Sequence, residues 1–537
     1  MCLQIFTFKQ HHFILKLTVN TITKQYLIQL GWTDTPALDS IIAHAKHLIS
    51  ERGVNTQKYL LKSLKRDFPE SHASLTMRDS PSPLSLAIDA DSPASIKNLK
   101  LATKQITELL RCPVVSAGTL MPDACPAGNA PASMPVGGAI AVENAIIPAA
   151  HSADICCSLL ATFYHTDLSA AEQVNTLMKH TRFGPGGRDK QNQIYHPVLD
   201  EDVWSNPFLK GLEAKAASHI ADQGDGNHFA YLGEILITDT LIDQLKANNQ
   251  ITLAEQLSAR ERWNVIITHH GSRSIGATLY TRGLEAAVKY TRKHAKDIPN
   301  EAAWLNMNTE EGVHYWNALQ YVSRWTKANH QTIHKHFIQD IGSSPIAEVG
   351  NEHNFVWKKP NSTTYLHGKG ATPAWLNDSN HPLLGLIPLN MAEPILLTFG
   401  SNNTDYLSFS PHGAGRNMSR KAMLRRYTKS KKIGFDKELL EQDIENGTKG
   451  IEVRWYQGRP DVTETPIGYK AASTVREQIQ HYNLANVIAE ISPIASIMSG
   501  RSETHEKPLT PKQLRQMHHR KERRKMHKRD WLNEDLQ

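Results

Sequence analysis

The sequence predicts an α+β fold, and three observations predict it. Apolar residues recur at helical spacing in the first hundred positions, and again in one long segment from Thr309 to Asp340. Between these segments, and again from 351 to 412, the text is punctuated by Gly and Pro and carries only short apolar runs, as strands joined by turns do. The chain has 537 residues and 40% apolar content, enough to bury a large core.

Taken in order, Asp39 to Glu51 places Ile41, Ile42, Ala45 and Leu48 on one helical face, with Gly53 as a stop. Thr56 to Asp67 reads as a second helix, and Asp79-Ser-Pro-Ser-Pro83 as a linker. Residues 1–90 are therefore expected to be a helical extension. A further helix starts at Ser92-Pro93, where Ser caps free N–H groups and Pro suits the first turn, and runs to Arg111. Ala139 to Val142, Ser158 to Tyr164 and Asn264 to Thr268 are expected strands. The segment from Thr309 to Asp340 is a long amphipathic helix with Val313, Trp316, Leu319 and Val322 on one face, closed by Gly342. No internal repeat is present.

The formal net charge of +7 is unevenly spread: Arg501 to Arg529 holds 11 Lys/Arg against 3 Asp/Glu, so the body of the chain is near neutral. The segment 501–537 is expected to be a basic tail, either an anion-binding arm or a solvated extension. Five cysteines do not make a disulfide framework in so long a chain. No apolar run has the length of a membrane span, and Met1 to Asn20 mixes Lys9, His11, His12 and Lys16 into its apolar residues, unlike a signal peptide. The expectation is a cytoplasmic protein with no membrane partner.

Three segments place a His or Cys beside turn-forming residues at or near a strand end: Asp154-Ile-Cys-Cys157, Gly224-Asp-Gly-Asn-His228 and His269-His-Gly-Ser-Arg273. Glu352-His-Asn354 is a fourth polar cluster. Imidazole, thiolate and carboxylate together suit a borderline divalent ion such as Mn, Zn or Fe. Singly, each has a plain structural explanation: a bonded histidine, small buried cysteines, turn residues at Asn227 and Ser272. Parity adds one constraint. Val265, Ile267 and His269 share one strand face, and Ile266, Thr268 and His270 the other, so only one of the two histidines can enter a given cleft. His412, in Pro411-His-Gly-Ala-Gly-Arg416, is flanked by glycines whose amides can hold phosphate, and Arg416 offers a planar fork. A histidine there serves as general base, metal ligand or nucleophile, or is simply a turn residue. No P-loop is present; His367-Gly-Lys-Gly-Ala-Thr372 has the wrong spacing.

The ordered series of motifs resembles the RtcB-type RNA-splicing ligases. Met121-Pro-Asp123 and Pro135-Val-Gly-Gly138 are followed by Asp154-x-x-Cys157, Gly226-Asn-His-Phe229, His269-x-Gly-Ser-Arg273 and His353-Asn354. His367-x-Lys-Gly-Ala-Thr372, His412-Gly-Ala-Gly-Arg416 with Met418-Ser-Arg420, and Tyr469-Lys470 complete it. The likeness covers roughly 95 to 500. It implies a single large catalytic domain, 91–500, with β-sheets lining a metal-containing cleft and helices flanking it. It implies that Asp154, Cys157, His228, His269 and His353 hold one or two Mn²⁺ ions. It implies that Asn227, Asn390, Gly413, Ala414, Gly415 and Arg416 contact the nucleotide, GTP. It also implies that His412 becomes guanylylated, so that an RNA 3′-phosphate or 2′,3′-cyclic phosphate is joined to a 5′-hydroxyl. The alternatives are a metal-dependent RNA-end phosphatase or nuclease, and a non-catalytic RNA-binding homologue. The chain departs from the family pattern at Tyr231, at Ser499 and in the loop Pro388-Leu-Asn-Met-Ala392. An activating protein partner is left open.

Overall fold

The computed structural model describes residues 18–30, 32, 37–68, 75–430 and 434–501; the expected basic tail beyond Arg501 lies outside the described residues. Helices combine with mostly antiparallel sheets, as the α+β expectation requires. The N-terminal helices Lys24–Gln29, Ala37–Ser50 and Gln57–Asp67 close around their own apolar cluster, in which Ile41, Ala45, Leu48, Leu60 and Leu64 are buried. The periodicity read from Asp39 onward is thus the packing face of this small helical unit.

Two sheets form the body. The first has five strands in the order Leu84–Leu86, Val115–Cys125, Val136–Glu143, Thr364–Lys369, Asn354–Lys358. The second follows the path Leu384–Ile387, Ile395–Gly400, Ala485–Met498, Phe229–Leu236, Arg262–His270, Ser158–Tyr164, Ala347–Glu352, with Glu452–Trp455 pairing off this path. Its two edges approach each other, where Asn351 Oδ1 accepts the Leu386 N–H at 2.8 Å, so the sheet is nearly closed. No helix among the described residues is long and apolar enough to cross a membrane.

The segment read as a linker is pinned instead. Ser82 N donates to Leu110 O at 3.0 Å, its hydroxyl to Val115 O at 2.8 Å, and Arg78 N to Arg111 O at 2.8 Å. Directly after it, Leu84–Leu86 pairs in parallel with the Val115–Cys125 strand, so the first strand of the five-stranded sheet lies within the expected extension. The prolines removed donors that this segment did not need, because side chains and flanking amides tie it down. The Ser92 cap is as read: its hydroxyl accepts from Ser95 N at 3.2 Å, and the helix spans Pro93–Leu109.

The tract read only as short apolar runs also contains the helices Ala170–His180, Asp239–Ala247, Ile251–Leu257 and Arg273–His294. The last buries Gly276, Gly283, Ala286 and Ala287 among Ile275, Leu279, Val288 and Tyr290, so small residues dilute its apolar period in sequence. The long helix Glu310–Asp340 lies where it was read, capped by the Thr309 hydroxyl on Gly312 N at 3.1 Å. It crosses the strands Ser158–Tyr164 and Arg262–His270 and is anchored by polar pairs. His330 bonds Ser158 and Thr268, and His334 bonds Thr162 and Thr268. The opposite face of the same strands carries Leu159, Ala161, Phe163, Val265 and Ile267 into a second apolar cluster. His269 continues that face at the strand end.

Candidate active site

Turn geometry brings Asp154 and Cys157 together. Alternation in a strand would point them to opposite faces, so bringing them together takes a turn. The chain makes a turn there, with Cys157 N donating to Asp154 O at 3.3 Å and Cys156 at φ +57°. Neighbouring segments brace this turn: Asn354 Nδ2 donates to Asp154 O at 3.2 Å, and the Ser272 hydroxyl to Ile155 O at 2.6 Å. Gly271 is required by close approach, since a Cβ there would sit 2.1 Å from Asp154 Oδ1.

Five side chains converge around the turn. Cys157 Sγ lies 3.2 Å from His269 Nε2 and 3.6 Å from His228 Nε2. His269 Nε2 lies 3.1 Å from His353 Nε2, and His228 Nε2 2.8 Å from Asp154 Oδ2. They form two three-residue groups, Cys157–His269–His353 and Asp154–Cys157–His228, sharing the thiol. The outer nitrogens of two rings are fixed: His228 Nδ1 donates to Gln223 O at 2.8 Å and His269 Nδ1 to Asn227 O at 3.2 Å. These bonds leave both Nε2 atoms facing inward, that of His228 against Asp154 Oδ2. As parity required, only one of the adjacent histidines enters; His270 points the other way and stacks on His330 with ring centroids 3.5 Å apart.

Electrostatics favour a cation. Burial holds the His269 pKa down at about 3 and that of His353 well below the ordinary range, so both present neutral imidazoles. Burial disfavours the Asp154 carboxylate, but the His228 charge and hydrogen bond outweigh it and bring its pKa to about 2. Burial pushes the Cys157 thiol up. Neutral nitrogens, a carboxylate and a thiol that a cation would ionise are a fitting donor set for a borderline divalent ion. Glu352, beside His353 in sequence, does not join them; its carboxyl bonds Ser323, and burial raises its pKa.

His412 adjoins this cluster, its ring centroid 4.9 Å from that of His353. Its Nδ1 lies 2.5 Å from Asp123 Oδ2, and its backbone N donates to the same oxygen at 3.2 Å. Asp123 is fully buried. A carboxylate only accepts, so Nδ1 carries the proton and Nε2 keeps its lone pair. A cavity of about 220 Å³ opens beside the ring. Asn227, Asn390, Gly413, Ala414, Gly415 and Arg416 all line it, together with His269 and His412.

Sequence reasoning missed part of this wall. Glu464, nearly buried, accepts from Arg420 Nε at 2.6 Å and from the Tyr469 hydroxyl at 2.8 Å, and sits 3.7 Å from Arg416 Nη1. It holds the two arginines at the cavity, with Arg416 5.1 Å over the Tyr469 ring. Asp123 was seen only as part of a motif; 289 residues separate it from His412, and no local pattern ties the two. Phe229 and Met498 line the cavity, whereas Tyr231 and Ser499 turn elsewhere. The Tyr231 hydroxyl donates to Ile491 O at 2.7 Å, and the Ser499 hydroxyl to Asp225 Oδ1 at 2.8 Å. His367 is no phosphate-loop residue; it is buried and its Nε2 accepts from Ile147 N at 3.0 Å.

Residues 202–499, more than half of the chain, match the family model described as tRNA-splicing ligase RtcB. The chain is 24% identical to the tRNA-splicing ligase RtcB of Thermococcus kodakarensis, across 70% of this chain and 86% of that protein. It is 25% identical to the RNA-splicing ligase RtcB of Escherichia coli K12, across 63% of this chain and 81% of that protein. The namesake from Pyrococcus abyssi is 25% identical across 60% of this chain, which there spans only 39% of the relative's length. Asp154 and Cys157 precede the span that the family model matches.

Proposed function

The chain belongs to the RtcB family of RNA ligases, and from that footing we propose that it joins RNA 3′-phosphate or 2′,3′-cyclic phosphate ends to 5′-hydroxyl ends through a guanylylated His412. The observation that carries this reading is the placement of His412, with Nδ1 held by Asp123 and the ring between the five-residue donor cluster and the cavity.

Asp154, Cys157, His228, His269 and His353 would hold the metal, Mn²⁺ in this reading. When bound, it supplies positive charge that screens phosphates and polarises the α-phosphate. His412 Nε2 attacks the α-phosphorus of GTP; a P–N bond forms, the α–β phosphoanhydride breaks and pyrophosphate leaves. The Asp123 carboxylate holds Nδ1–H and stabilises the positive charge that develops on the ring. Amides of Gly413 and Gly415, the Arg416 guanidinium and Asn227, which line the same cavity, would hold the phosphate. An RNA 3′-phosphate oxygen then attacks the same phosphorus, the P–N bond breaks and His412 recovers its lone pair. The RNA 5′-hydroxyl displaces GMP from the activated 3′-phosphate, forming the phosphodiester. A cyclic phosphate is first opened by water to the 3′-phosphate.

Incubation with Mn²⁺ and α-labelled GTP tests the reading. Acid-labile label on the wild type, lost in His412→Ala, is the expected result. No label with any of the four NTPs, alongside phosphate release from RNA ends, would replace the ligase with a hydrolase. Running all four NTPs also reads base selectivity, which the departures at Tyr231, Ser499 and 388–392 bear on.

A further inference from the structure

We infer that the solvent face of the Pro93–Leu109 helix, through Lys97, Lys100 and Lys104, is a docking strip for the RNA phosphodiester backbone beside the catalytic pocket. The inference rests on the ligase reading for the identity of the nucleic acid, but its location comes from the helix itself. At 100° per residue the three lysines fall within an arc of about 60°, and along the axis they span about 10 Å. All three are exposed, and among the described residues none has an ion-pair partner. Ile96 and Leu101, 52% and 44% exposed, flank the strip and offer apolar surface to unstacked bases.

The opposite side of the helix shows where the strip leads. Asn98 Nδ2 donates to Arg416 O at 3.2 Å and to Asn417 O at 2.9 Å, directly after the His412 loop. Gln105 Nε2 donates to Ala127 O at 3.0 Å, and Gln105 Oε1 accepts from Ala127 N at 3.0 Å. The Ala127 turn follows Cys125, and both Cys125 and Arg416 line the cavity. The helix is therefore fastened along the pocket rim at two points, and the lysines run parallel to that rim. Exposed Lys421, on the helix Arg420–Arg425 that opens just after Asn417, extends the positive rim. A polyanion entering the pocket meets fixed, uncompensated positive charge there. A larger groove of about 1490 Å³ elsewhere is lined by Lys210, Lys289 and Lys293, but also by Glu285, Glu310 and Glu311, and so lacks this one-sign character.

The test uses the full chain with Lys97, Lys100 and Lys104 changed together to Ser, and a fluorescent single-stranded RNA bearing a 3′-phosphate. A control removes the same charge from the N-terminal unit, at Lys58, Lys62 and Lys65. With about 0.7 counterion released per phosphate contact, the log–log salt slope of binding should flatten by about 2 in the strip variant. The RNA KM should rise with kcat and His412 labelling unchanged, and the control should match wild type. An unaltered slope and KM, or an equal change in the control, would overturn the strip. If the wild type takes no nucleotide label, the ligase reading fails, and the salt slope still decides the strip.

Discussion

Asp123 Oδ2 lies 2.5 Å from Nδ1 of His412, at a fully buried carboxylate that also accepts the His412 backbone N–H. The pairing sets the tautomer, and so decides which ring nitrogen is free to attack. In Asp123→Asn the amide can donate to Nδ1 and drive the proton to Nε2. His412 labelling should then slow by roughly 10²–10⁴-fold, as expected when an imidazole loses its orienting carboxylate. Label transfer from α-labelled GTP, with circular dichroism to establish folding, measures it. A variant that labels at the wild-type rate would remove Asp123 from the chemistry.

Cys157 belongs to both donor groups, and Asp154 to one. Cys157→Ala should therefore strip metal from both positions, whereas Asp154→Asn should reduce content only on the Asp154–His228 side. Native mass spectrometry after Mn²⁺ loading and desalting reads the stoichiometry. Equal losses in the two variants would contradict a shared thiol.

Stability should fall with acidification over a window set by buried histidines. Burial lowers His367 and His334 from 6.5 to about 3, and His367 Nε2 must stay unprotonated to accept the Ile147 N–H. Below pH 6.5 the unfolded chain binds protons that the folded chain refuses, so stability is full above 6.5 and declines towards pH 3. Each such group contributes a slope of about 1.4 kcal/mol per pH unit inside the window. Urea midpoints from pH 7.5 to 5 should show the decline, and His367→Gln should flatten it. The same slope in the variant would mean that His367 titrates normally.

Gly415 has φ +69°, and a Cβ there would lie 2.1 Å from Asp123 O. Gly415→Ala should lose roughly 1–3 kcal/mol from backbone strain alone, and should displace the Asp123 segment on which His412 depends. Thermal denaturation reads the first effect and His412 labelling the second. A labelling loss without a shift in melting temperature would argue against the strain account.

Much of the fold was legible because local rules reported it. The Ser92 cap, the long helix beginning near Thr309, the run Ser158 to Tyr164 and the stop at Gly342 follow from single side chains and short periods. The helix Arg273–His294 was not read because Gly276, Gly283, Ala286 and Ala287 interrupt the large residues on its buried side, and the 79–83 segment was misread because its bonds go to residues distant in sequence.

What the sequence by itself determined is an inventory with constraints: a glycine-flanked His412, ligand types in family order, and a parity rule admitting one of His269 and His270. The tertiary structure decided which of these meet. It placed His269 beside Cys157 and His353, turned His270 onto His330, and brought Asp123 to His412. It also turned Tyr231 and Ser499 away from the cavity and set Glu464 behind the arginines. The reason is that strand periodicity is a local property of the backbone, whereas strand order and register, which bring residues hundreds of positions apart into contact, arise only when the whole sheet closes over its core.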